Sequence, residues 1–115
     1  MPPLKRDNPE AVIQKAIIKE LRYREWDVME THGNEFQKGF PDLWCMHRIY
    51  GGRWVEVKNP LAYSFTSAQK TWFPRFEANG IGIWILVSAN PSEIQKLWTE
   101  KANWRTYFRA ANGLR

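Results

Sequence analysis

The chain has 115 residues, 43% hydrophobic and 15% aromatic, which is enough for one folded domain with a modest core and too few for two. Seventeen Lys and Arg against twelve Asp and Glu give a net charge of +5 and a pI near 9.6, a balance that suits an anionic partner, nucleic acid first. The single Cys45 excludes an intrachain disulfide and zinc ligation of the Cys2His2 type, and no signal-peptide core or membrane-length apolar run is visible, so a reducing cytoplasm is the expected setting.

Residues 1–8 read as a polar, proline-containing lead-in. Asn8-Pro9-Glu10 then has the signature of a helix start, with Asn8 as N-cap and Pro9 at the first helical position. Ile13, Ile17 and Leu21 form one apolar stripe on this helix, while Lys15, Lys19 and Arg22 project from the opposite side. Glu10 falls about 20° from the centre of the stripe. An acid there is either a helix-dipole carboxylate or part of a site, and Glu20, later on the same side, is its competitor. The helix is expected to end near Tyr23–Glu25. Trp26 to Thr31 reads as a first strand and His32 to Gly39 as a glycine-bounded loop. Neither His32 nor His47 has a second histidine at ligand spacing, so neither is expected to bind metal or act as a base.

Next comes the most informative stretch. Gly39-Phe40-Pro41-Asp42-Leu43-Trp44-Cys45-Met46 leads to a turn at Gly51-Gly52, then to Arg53-Trp54-Val55-Glu56-Val57-Lys58-Asn59. Strand side chains alternate, so Glu56 and Lys58 share one face while Val55 and Val57 share the other. The Gly-Gly pair predicts an antiparallel hairpin. A loop of about five residues around Ile49–Tyr50 sets Asp42 opposite Lys58 and Trp44 opposite Glu56. Asp42, Glu56 and Lys58 then converge, and two carboxylates with an ammonium can hold a hard divalent cation and a phosphate oxygen. Lys38, Arg48 and Arg53 flank the hairpin as phosphate contacts or simply as solvated charges, and Lys70 joins them as a candidate DNA contact.

The chain breaks at Asn59-Pro60. A second helix opens near Thr66, with Gln69 three residues on in a capping-box pattern. Gln69, Trp72 and Phe76 are expected on one face, where Gln69 either reaches the site or closes the cap. Pro74 is expected to kink this helix and Asn79-Gly80 to end it. Residues 82–88 read as a buried strand, and Asn90-Pro91 starts a third helix carrying Ile94, Leu97 and Trp98. In the tail Trp104, Tyr107, Phe108 and Ala111 recur at helical spacing, with Arg105 and Arg109 between them. That stripe is core, a partner surface or a nucleic-acid surface. The expected fold is α/β: a helix, a meander of three strands, a helix, and a fourth strand joining a mixed sheet by a crossover.

Pro41-Asp42 followed by Glu56-x-Lys58 resembles the core of the PD-(D/E)xK nuclease superfamily. The fuller context is Gly39-Phe40-Pro41-Asp42-Leu43, Val55-Glu56-Val57-Lys58-Asn59-Pro60 and Ser64-Phe65-Thr66-Ser67-Ala68-Gln69-Lys70. It resembles the VRR-NUC branch, in its stand-alone phage or bacterial form, over roughly Pro9 to Val87. The resemblance implies a restriction-endonuclease-like αβββαβ core at about 9–88 of a single domain, with a C-terminal helical extension at about 90–115. It implies an endonuclease dependent on Mg2+ or Mn2+, with Asp42, Glu56 and the Val57 carbonyl as ligands and Glu10 reaching the metal through water. Lys58 would act on the water or phosphate, and Gln69 would stand beside it. The implied substrate is branched DNA, above all a four-way junction cut by a homodimer during replication, recombination or repair in a bacterial or phage-infected cytoplasm. No organic cofactor and no membrane partner is expected. The alternatives are a non-catalytic nucleic-acid-binding module of the same fold, or a restriction-type or end-processing nuclease on linear DNA.

Overall fold

The computed structural model describes residues 8–31 and 38–113. In chain order these form α1 (Pro9–Tyr23), β1 (Asp27–Glu30), β2 (Leu43–His47), β3 (Gly51–Val57), α2 (Ser67–Ala78) and β4 (Ile83–Leu86), then the short helices α3 (Pro91–Ile94), α4 (Lys96–Thr99) and α5 (Trp104–Ala111). The four strands lie in the order β1-β2-β3-β4. The first three form an antiparallel meander, and β4 runs parallel to β3 after the α2 crossover. This is the α/β arrangement expected. The lead-in up to Asp7, His32 and the loop to Gln37, and the last two residues lie outside the described residues.

Local chemistry explains where the two long helices start and stop. Asn8 Oδ1 accepts from Glu10 N at 2.9 Å, with Pro9 at the first helical position. At the other end Trp26 N donates to Leu21 O at 3.0 Å and Glu25 N to Arg22 O at 3.1 Å. This Schellman closure puts Glu25 at φ 69°, a left-handed position where glycine is usual. The end of α2 has the same closure around Gly80, at φ 76°. Pro74 sits inside α2, and the helix continues through it to Ala78.

The sheet separates two clusters. On one side α1 buries Ile17, Ile18 and Leu21 against Leu43, Cys45, Val55, Val57 and Leu86, with Ile94 and Leu97 closing the margin. Ile18 takes the buried place expected for Ile13, which is only partly covered. Cys45 is fully buried, and burial pushes its thiol up to about 12. On the other side α2 turns Gln69, Phe73 and Phe76 inward. Trp72, expected on that face, lies at its edge with 37% exposure, and Phe73 holds the central position. The third helix is two four-residue pieces, α3 and α4, rather than one.

The tail belongs to this second cluster. Trp104 packs on Phe73, with ring centroids 5.8 Å apart, and Phe108 packs on Phe65 at 5.5 Å. Before α5 the Asn103 side chain hydrogen-bonds the backbone of β4, accepting from Ile85 N at 2.6 Å and donating to Ile85 O at 3.3 Å. A side-chain amide so placed occupies part of the edge that a further strand would use. The aromatic stripe, left open as core, partner surface or nucleic-acid surface, is therefore largely packed on its own chain.

Candidate active site

The start of β2, the end of β3 and the start of α1 meet at one end of the sheet. Leu43 pairs with Val55 and Trp44 with Trp54, a register two residues away from the expected one that set Trp44 opposite Glu56. The reversal is shorter than expected. Only Arg48 to Tyr50 separate the paired His47 and Gly51, and Gly51 closes the turn at φ 81°. Gly52 lies in the strand under Trp44, where an added Cβ would meet the indole at 2.3 Å. Because the shift is an even number, side-chain faces are unchanged, and Asp42, Glu56 and Lys58 still converge.

Asp42 and Glu56 hold each other through backbone N–H groups. Asp42 N donates to Glu56 Oε1 at 3.1 Å, and Val57 N donates to Asp42 Oδ2 at 2.8 Å. Gln69 Nε2 donates to Glu56 Oε2 at 2.8 Å. Gln69 Oε1 accepts from Thr66 N at 3.0 Å and from Lys58 Nζ at 3.1 Å, while Thr66 Oγ1 accepts from Gln69 N. Capping and reaching the site were set as alternatives for Gln69, and it does both. Lys58 Nζ also donates to Ser64 O at 2.8 Å, lies 3.2 Å from Glu56 Oε2 and sits 4.6 Å above the Phe65 ring. All four side chains are buried, Glu56 to 1% exposure.

Carboxylate oxygens of Glu10, Asp42 and Glu56 all lie within 4.8 Å of one another. This concentration of acid has an electrostatic consequence. Burial, followed by the Asp42 charge, raises the Glu56 carboxyl to about 8 against the opposing pull of Lys58 and Gln69. A divalent cation would relieve that repulsion, and three oxygen donors are the ligand type that Mg2+ or Mn2+ takes. Glu10, Asp42 and Glu56 therefore fit such an ion. Glu20, the competing acid, is ion-paired with Arg24 at 2.8 Å near the other end of α1.

The cationic candidates divide by position. Lys38 and Gly39 line a cleft of about 330 Å³ with Thr66, Ala68 and Gln69, and the exposed Lys70 follows Gln69 on α2. Arg48 sits in the hairpin turn at the opposite end of β2 from Asp42. Arg53 donates to Leu97 O at 2.8 Å and lies 4.9 Å over the Trp84 ring, near that same far end. Sequence reasoning missed Thr31. Its backbone N donates to Asp42 O at 3.0 Å, and its buried hydroxyl donates to Pro41 O and to Asp42 O. A lone threonine at a strand end has no periodicity to reveal that role.

No protein-family model and no curated protein matches the chain. A solved structure described as a VRR_NUC domain is similar, with a TM-score of 0.62 and 22% identity over 78% of this chain and 94% of its own length. Among the described residues no helix is long and apolar enough to cross a membrane. The expectation drawn from the sequence motifs is met at the level of architecture: this chain has the fold of a VRR_NUC domain.

Proposed function

We propose that the protein is a nuclease of the PD-(D/E)xK type that hydrolyses phosphodiester bonds in DNA with Mg2+ or Mn2+. The observation that carries this reading is the meeting of Glu10, Asp42 and Glu56 within 4.8 Å, beside a buried lysine and glutamine on a fold of the VRR_NUC kind. Asp42 and Glu56 hold the cation, the Val57 carbonyl is a further ligand, and Glu10 completes the set directly or through water. When bound, such an ion lowers the pKa of a coordinated water and balances negative charge developing on the phosphate. Lys58 orients the attacking water or a phosphate oxygen, exchanging one of its present acceptors for it. Gln69 fixes the Glu56 carboxylate and the Lys58 ammonium relative to each other. Lys38 and Lys70 contact the substrate backbone beside the cleft, and Arg48 and Arg53, toward the other end of the hairpin, contact it farther from the cation.

The finer reading is an endonuclease of branched DNA, a four-way junction resolvase acting as a twofold dimer, since two symmetric cuts need two sites. It rests on the motif resemblance; of the stripe offered as a dimer surface, Trp104 is buried on Phe73 and Phe108 packs on Phe65, while Tyr107 and Phe108 stay half-buried and Ala111 exposed. One experiment tests both levels. Labelled four-way junction, flap, splayed and linear DNAs are incubated with Mg2+ or Mn2+, with light scattering on the same samples. Cation-dependent cutting is expected, with the junction preferred. A folded, pure protein that cuts none of them sinks the nuclease; equal cutting of linear duplex by a monomer sinks only the resolvase.

A further inference from the structure

The exposed side of α1 has no part in the site described above. By helical geometry Lys15, Lys19 and Arg22 fall within about 60° of one another around the axis. No acid shares that sector: Glu10 and Glu20 are turned about 140° from Lys15 to either side. All three cations are exposed. With Ile18 and Glu30 they line a groove of about 430 Å³ between α1 and the edge strand β1. Among the described residues no carboxylate pairs with Lys15 or Lys19, while Glu30 accepts from Gln14 Nε2 at 3.3 Å. Arg22 Nη2 donates to Val28 O at 3.2 Å, which lays the guanidinium along β1 and engages one of its five donors.

The row follows the site along the same helix, on a sector turned about 140° from Glu10. Glu10 stands in the carboxylate cluster at the start of α1. At about 1.5 Å per residue, Lys15, Lys19 and Arg22 follow it at about 8, 14 and 18 Å along the axis. The duplex rises about 3.4 Å along its axis per base pair, so the interval from Lys15 to Arg22 matches about three base-pair steps. Among the described residues no aromatic ring lines the groove, whereas surfaces for single strands combine cations with rings on which bases stack.

From this geometry we infer that the Lys15-Lys19-Arg22 face of α1 is a sequence-independent binding track for the phosphate backbone of duplex DNA leading away from the carboxylate cluster. The role as a substrate arm rests on the nuclease reading, whereas the binding itself does not. The track explains why α1, whose other side carries the core residues and Glu10, presents three cations in one line without an acid paired to them. Each contact displaces condensed counterions, so binding weakens with salt by a slope of about 0.9 per phosphate neutralised.

The test is fluorescence anisotropy on blunt 25-base-pair duplexes of two unrelated sequences, with EDTA present so that nothing is cut. Lys15→Ala/Lys19→Ala should weaken binding to both duplexes equally and lower the salt slope by about 2. Adding Arg22→Ala should bring the loss to nearly 3, and circular dichroism checks that each variant is folded. An unchanged slope in the folded double variant overturns the track, as does a loss seen only with single-stranded DNA. Cutting by the wild type with Mg2+ is measured in parallel. Cutting with an unchanged slope removes the track and leaves the nuclease; a reduced slope without wild-type cutting does the reverse.

Discussion

The two faces of the sheet are built from different side chains. Against α1 the core is largely aliphatic: Ile17, Ile18 and Leu21 meet Leu43, Val55, Val57 and Leu86. Against α2 and α5 it is largely aromatic, with Phe65, Phe73, Phe76 and Trp104 around Ile83 and Ile85 and with Phe40, Trp54, Tyr63, Tyr107 and Phe108 packed on them. Branched aliphatic side chains interdigitate densely and carry no polar atom. Flat rings pack edge to face at longer spacing, and a ring face can also receive a cation. The buried acid, amide and ammonium lie at the end of the aromatic face, where Phe65 lies under Lys58 at 4.6 Å. Each of them is hydrogen-bonded, and no buried side-chain N or O among the described residues lacks a partner. The aliphatic face thus excludes polar atoms, and the aromatic face accommodates charge without leaving it unpaired.

That division should be sharpest in cleavage kinetics. Asp42→Asn and Glu56→Gln should each lower the rate with Mg2+ by at least on the order of 10²–10³ while the protein stays folded. Glu10→Gln should lower it more than Glu20→Gln, because Glu10 stands in the cluster and Glu20 is paired with Arg24. A wild-type rate from folded Asp42→Asn would break the assignment of the site.

On the aliphatic face the outcome is expected to invert. Leu21→Ala should lose about 2–5 kcal/mol in urea unfolding, the usual cost of such a cavity. Below its melting range the rate per folded molecule should match the wild type. A rate loss as large as that of Glu56→Gln would show that the two faces are not separable.

The raised Glu56 pKa makes a third test. Between its ordinary value of 4.5 and about 8 the folded chain holds a proton that the unfolded chain has released. The Glu56 contribution to stability without added metal should therefore be complete below the lower value, fall as pH rises through this window, and level off above it. Melting curves from pH 5 to 9 with EDTA should drop by several degrees, and Glu56→Gln should flatten that drop. An added divalent cation should offset it at the alkaline end, since it binds the ionised form.

Thr31→Val should have a smaller effect, near tenfold in rate, because it loosens Asp42 without removing a carboxylate. Thr31→Ser, which keeps the hydroxyl, should restore the rate, and a purely structural role would leave the rate unmoved by both. The smallest effect is expected at the closure of α1. Glu25→Gly should raise stability by up to about 1 kcal/mol, since a side chain at φ 69° is strained, with no change in cleavage.

Much of this was legible from local spacing. The helix starts at Asn8 and Thr66 follow from capping chemistry between residues two or three apart, and the order of helices and strands follows from periodicity. The common face of Asp42, Glu56 and Lys58 follows from strand alternation, which is why it survives a register error of two. What local spacing missed depends on how elements dock. The hairpin register was settled by Gly51 at positive φ and by the Trp44 ring over Gly52, a contact between strands. Glu10 and Glu20 lie on the same helix and differ only in which end of α1 meets the sheet. The two roles of Gln69 arise because the first turn of α2 is pressed against Glu56 and Lys58. Thr31 acquires its place only when β1 lies beside Asp42. The aromatic tail had an open choice between partner and core until the fold brought Phe65 and Phe73 within reach of it. Sequence by itself determined which elements form and which way their side chains alternate, because those properties are set within a few residues. Only the tertiary structure decided which side chains meet, because burial and charge pairing act between segments far apart in the chain.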